Sequence, residues 1–300
     1  MFNTPEKRDL FRLSNIAGVS LLAASLVLPA LLMLVLPPEM PMNLVMIASG
    51  LLTLLPAALL GRVLLRPEER AATFALGKPH QNPVAVFFVG VAVCYLGNFV
   101  TAMIGALGSR AGVTFEGPQF AAPQSWGSLL MMLFAVAVLP GVLEEILLRG
   151  VIMQPLRQHG DWFAITCSAV LFALIHGNMQ QAPMAFVAGL ALGWAAIRCG
   201  GLLVPIAIHF WNNAASVLML FLQGRMNPTH FDWLQLGYVL VIMLLGLAGT
   251  WVLWTKKAEG LTRGTTAMGV CSRTTRYFFG SVPMVLALAW FGYLIWLMTA

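Results

Sequence analysis

Glu144 and Glu145 are the only acidic residues inside the long apolar stretches of this chain, in LPGVLEEILLRG, with Arg149 one turn further on. A carboxylate at bilayer depth costs on the order of 3 kcal/mol or more unless it is paired or faces water. Two side by side therefore point to a functional site. Glu145 and Arg149 stand at i,i+4 with the acid first, the favourable order for an intrahelical pair. Adjacent helical residues point about 100° apart, so Glu144 is left free to face something else. Phe172 and His176 follow one turn apart in LFALIHGN, and His209 and Asn213 one turn apart in IHFWNNAAS. Carboxylate, imidazole and amide groups gathered in this way can hold and activate water, bind a metal or relay protons.

The elements that must position them are membrane helices. Of the 300 residues, 59% are hydrophobic and only 9% charged, against about 25% charged in soluble domains. With about 20 apolar residues needed to cross the hydrocarbon core, spans are expected at roughly 13–36, 42–64, 83–108, 126–156, 161–178, 181–199, 202–223, 233–255 and 278–298. The expectation is an all-α polytopic bundle of about 8–9 spans, with Pro140-Gly141 interrupting the fourth. The first span is too long for a signal-peptide core and reads as a retained helix.

The net charge of +6 is a topology signal and not a nucleic-acid footprint, which needs a clustered basic patch. Fourteen Lys and Arg residues lie in the loops of one side: Lys7, Arg8, Arg12, Arg62, Arg66, Arg70, Lys78, Arg157, Arg198, Lys256, Lys257, Arg263, Arg273 and Arg276. Only Arg110 and Arg225 lie on the other, so the positive-inside rule makes the N-terminus cytoplasmic. Cys94, Cys167, Cys199 and Cys271 show no metal or disulfide spacing and read as small buried hydrophobes. The longest external connection, 109–125, reads as a tether.

Glu144 and His176 are equidistant from Gly160 in the turn RQHGD. In an antiparallel hairpin both then lie about 20–25 Å from that turn. His209 and Asn213 enter from the same side, about 10–17 Å deep. All can converge on one buried cavity facing the cytoplasm. Each piece also has a plainer reading. Gly189 and Gly193 read as helix packing, Glu145–Arg149 as a structural clamp, Phe172 as packing around the imidazole, and a lone histidine as an inter-helix hydrogen-bonding group. Glu144 is the hardest to dismiss.

In order, Glu-Glu-xxx-Arg (Glu144, Glu145, Arg149), Phe-xxx-His (Phe172, His176), Phe-xx-Gly-xxx-Gly (Phe186, Gly189, Gly193) and His-xxx-Asn (His209, Asn213) resemble the motifs of the CPBP family. These are intramembrane glutamic endopeptidases related to the Rce1 CAAX protease and called Abi proteins in bacteria. The motifs cover about residues 140–216. The resemblance implies an Rce1-like catalytic core at 121–223, flanked by N-terminal helices in 1–120 and C-terminal helices in 224–300. It implies an endopeptidase in which Glu144 is the general base and His176 helps to hold the hydrolytic water. His209 and Asn213 stabilise the oxyanion, with Glu145, Arg149 and Phe172 in support. No serine or cysteine occupies a motif position, which argues against an acyl-enzyme.

The implied partners are a peptide or protein substrate and the lipid bilayer, in the inner membrane if the source is bacterial, with no nucleic acid and no cofactor. The oligomeric state is not given by the sequence. Three alternatives stay open. Glu144, His176 and His209 have the ligand types of a zinc site with an open water position. Intramembrane Glu, His and Arg also build proton-coupled transporters, although no repeat with matching broken helices is visible. A silent scaffold or immunity protein could use the same fold.

Overall fold

The chain is all-helical in the computed structural model, which describes residues 4–77, 81–118, 120–256 and 272–299. Lys78, Lys257, Arg263 and Cys271 lie outside these residues.

Among the described residues, six helices are long and apolar enough to cross a membrane: α1 (Pro5–Met33), α2 (Met42–Leu64), α3 (Pro83–Arg110), α4 (Trp126–His159), α7 (Leu203–Gln223) and α8 (Pro228–Thr255). Three shorter apolar helices complete the set: α5 (Asp161–Leu174), α6 (Ala182–Arg198) and α9 (Val282–Leu297). This is an integral membrane protein built as a helical bundle. The expected spans coincide with these nine positions, but α5, α6 and α9 fall short of a full crossing length.

Among the described residues, four π-helical segments lie in α1, α2 and α4, at Ala23–Val27, Gly50–Leu54, Leu133–Val138 and Ile146–Met153. Each is followed two residues on by a proline: Pro29, Pro56, Pro140 and Pro155. Proline has no N–H to give, and its ring presses on the carbonyl four residues back. A widened turn relieves that crowding, and partners outside the helix take up the freed carbonyl. Two such partners are present. Trp290 Nε1 donates to the carbonyl of Ser25, four before Pro29, at 3.1 Å. Asn213 Nδ2 donates to the carbonyl of Val136, four before Pro140, at 2.9 Å. The interruption expected at Pro140-Gly141 is thus a widening within a continuous helix.

α4, α5, α6 and α7 surround a core that α3 closes from one side, with α6 in extensive contact with both α3 and α5. Close approach depends on missing side chains. A Cβ on Gly189 would come within 2.8 Å of the Ala169 backbone, and one on Gly141 within 3.3 Å of the Phe210 nitrogen. The first seats α6 on α5, and the second seats α7 on α4. Cys94, Cys167 and Cys199 are free and buried, as small apolar residues would be. At the end of the bundle carrying Gly160, Asp9 accepts from Arg12 at 2.8 Å and Gln158 at 2.8 Å, tying α1 to the α4–α5 turn.

Candidate active site

The two glutamates diverge, as their helical positions require. Glu145 is fully buried and takes Arg149 Nη1 on Oε1 at 2.7 Å, and that guanidinium is fully buried too. Burying an unpaired ion costs several kcal/mol, so each charge holds the other in place. Arg149 is fixed further by Nη2, which donates to the Gly189 carbonyl at 3.2 Å. Its guanidinium also lies 4.5 Å from the centre of the Phe172 ring. The clamp and the glycine motif are therefore one unit, since α6 must approach closely for its carbonyl to be reached.

His209 joins this unit from α7. Its Nδ1 lies 2.9 Å from the same Glu145 oxygen, and its Nε2 lies 3.9 Å from Glu144 Oε2. One imidazole thus stands between the adjacent carboxylates, meeting each through a different nitrogen. The sequence suggested only the acid–arginine pair for Glu145. The anchoring of His209 was not legible, because 64 residues separate the two.

His176 lies just beyond the end of α5, where the sequence suggested continuing helix. Gly177, at φ +64°, takes the left-handed conformation that ends helices and that a side chain would disfavour. The His176 Nδ1 lies 2.7 Å from the Phe172 carbonyl. A carbonyl only accepts, so Nδ1 carries the proton, and in the neutral ring Nε2 is an acceptor. Asn178 secures the turn by donating to the His176 carbonyl at 2.7 Å and accepting from the Gln181 N–H at 2.9 Å. Phe172 meets both imidazoles edge to face, at 5.1 Å from His176 and 5.4 Å from His209.

Glu144 and His176 line one cavity of about 210 Å³. Glu144 Oε2 is buried and makes no hydrogen bond to any described residue. The other wall comes from α1 and α2 through Ala24, Ser25, Ser49, Thr53 and Leu54. Sequence reasoning passed over these residues, since small hydroxyl side chains in apolar helices look like packing. Asn213 lies one turn beyond His209 with its amide on the Val136 carbonyl, and Asn212 Nδ2 donates to its Oδ1 at 3.2 Å.

The donor set bears on a metal. With Nδ1 engaged in both imidazoles, each could offer Nε2, a pattern common among metal-binding histidines. Among the described residues, however, no three His, Cys, Asp or Glu side chains converge as a ligand group.

Glu144, a partly buried acid lining a cavity of about 210 Å³, thus stands with two oriented imidazoles inside a bundle of membrane helices. Residues 126–215 match the model of the Rce1-like family, type II CAAX prenyl endopeptidases. An Escherichia coli relative known as an uncharacterized 24.3 kDa protein is 28% identical over 137 residues. That alignment takes in 44% of this chain and 60% of the relative. The chain thus spans less than two thirds of that relative's length. No solved structure matches the chain.

Proposed function

We propose that this protein is an intramembrane endopeptidase that hydrolyses a peptide bond in a membrane-associated protein or small peptide. The observation that carries the reading is the shared cavity of Glu144 and His176, with Glu144 Oε2 buried and without a hydrogen bond to any described residue. A water there can donate one hydrogen bond to the carboxylate and the other to His176 Nε2, which leaves a lone pair free to attack. Glu144 takes the proton as hydroxide adds to the carbonyl carbon, then returns it to the leaving amine. The oxyanion turns toward His209, whose Nε2 must carry a proton to donate, and toward the second N–H of Asn213. Glu145 and Arg149 hold His209 in its orientation.

The reaction runs on this chain's own groups, with no resident metal and no other cofactor. The substrate class is a peptide, and prenylation is not assumed. The protein resides in the cell membrane with its N-terminus in the cytoplasm, a reading supported by the one-sided distribution of Lys and Arg.

The test compares membrane and secreted peptides by mass spectrometry from cells carrying wild type or Glu144→Gln. Peptides cut only by wild type support the reading, and identical peptide sets reject it. Purified protein should cleave those peptides equally well in the presence of strong chelators. Loss of activity that zinc restores would replace the metal-free version.

A further inference from the structure

The wall opposite Glu144 has a chemistry of its own. Ser25 Oγ donates to the Leu21 carbonyl at 2.7 Å, and Thr53 Oγ1 donates to the Ser49 carbonyl at 2.6 Å. Both hydroxyl protons are spent on their own helices, so the cavity receives oxygen lone pairs from that side. On the facing side stand a carboxylate and an imidazole whose Nδ1–H is spent on Phe172. With only the Ser49 hydroxyl able to act either way, the cavity is richer in acceptors than in donors, which suits an occupant that brings donors. Water can do so, but the proposed reaction needs only one, and about 210 Å³ is room for about seven at 30 Å³ each. The remaining acceptors suit the N–H groups of an extended peptide.

Hydroxyls bonded to the carbonyl one turn back are common in membrane helices and often only bend them. Two features set these apart. Both lie in π-helical segments, and both line the cavity that holds Glu144 and His176. The Ser25 turn is further held from outside by Trp290 on its carbonyl.

We propose that Thr53, assisted by Ser25, is a substrate-binding residue whose hydroxyl oxygen accepts a main-chain N–H of the peptide held against Glu144. The proposal rests on the endopeptidase reading and deepens it. Helices α1 and α2, outside the family match at 126–215, then form half of the substrate site.

The test uses full-length protein in liposomes carrying Ser49→Cys, with the parent protein as the labelling blank. A small cationic methanethiosulfonate reports access to the cavity, and a pool of short random-sequence peptides is the probe. The peptides should slow labelling at position 49. Thr53→Val, which keeps the branched shape, should weaken that protection about 3- to 10-fold, the range of one hydrogen bond. Thr53→Ser should restore it. Unchanged protection in Thr53→Val overturns the proposal, as does failure of the peptides to protect. Equal loss in Thr53→Val and Thr53→Ser also overturns it, since packing alone would then be at work. This readout needs no turnover. Failure of the endopeptidase reading appears separately, as identical cleavage by wild type and Glu144→Gln.

Discussion

His209 and Glu145 share a hydrogen bond of 2.9 Å between Nδ1 and Oε1, on the same oxygen that Arg149 holds at 2.7 Å. Glu145 is thus a junction between α4 and α7, and the Nε2 of His209 is aimed by it toward Glu144. The orientation of one candidate catalytic group depends on a neighbour whose side chain points the other way.

Glu144→Gln should keep the fold and lose activity. The amide matches the acid in shape but cannot take a proton from water, and general-base catalysis typically contributes about 100- to 10,000-fold. Cleavage rates of purified protein on peptides identified in cells check this, with thermal unfolding as the control for folding.

Arg149→Met should unfold the protein more readily, because the buried Glu145 carboxylate would lose its guanidinium and keep only the His209 contact. Breaking such a pair costs about 3–5 kcal/mol. The double variant Glu145→Gln/Arg149→Met should recover part of that loss in unfolding measured in detergent. If the double variant were less stable than the single one, mutual neutralisation would not be the reason for the pair.

Asn213→Ala should leave the Val136 carbonyl without its donor, at a cost of about 1–3 kcal/mol. Pro140→Ala restores a backbone N–H four residues on and should rescue stability in the double variant. Activity should stay low, since the amide proposed for the oxyanion is still missing. A double-mutant cycle on both readouts separates the two roles.

Gly189→Ala and Gly193→Ala should differ. The added Cβ at 189 meets the Ala169 backbone at 2.8 Å, whereas at 193 it meets the side chains of Ile165 and Met153 at 3.3 Å. Backbone yields less readily than side-chain ends. The first change should therefore cost about 1–3 kcal/mol and also weaken the Arg149 contact, and the second should cost less. Comparable melting temperatures for the two variants would contradict this.

Much of the bundle was legible because length and apolarity alone decide where a helix can cross. The polar groups of the site were legible too, since Glu144, His176 and His209 have no cheap place in hydrocarbon. What lay beyond reach was pairing across distant helices. Glu145 to His209, Arg149 to Gly189 and Asn213 to Val136 are set by which faces meet. The end of α5 at Leu174 was missed although Gly177 offered a signal, because apolar residues continue beyond it. The hydroxyls of Ser25 and Thr53 gave no signal at all, since such side chains satisfy themselves on their own helix.

The proline-linked π turns have a consequence for how this chain can change. Such a turn carries one spare residue, so deleting a position within Leu133–Val138 can be absorbed by reversion to an ordinary helical turn. Glu144 would keep its face. The same deletion in the regular α6 would swing everything after it by about 100° and turn its glycine seam away from α5. Length variation near the site is therefore tolerable where the backbone is already loosened, and ruinous where it is tight.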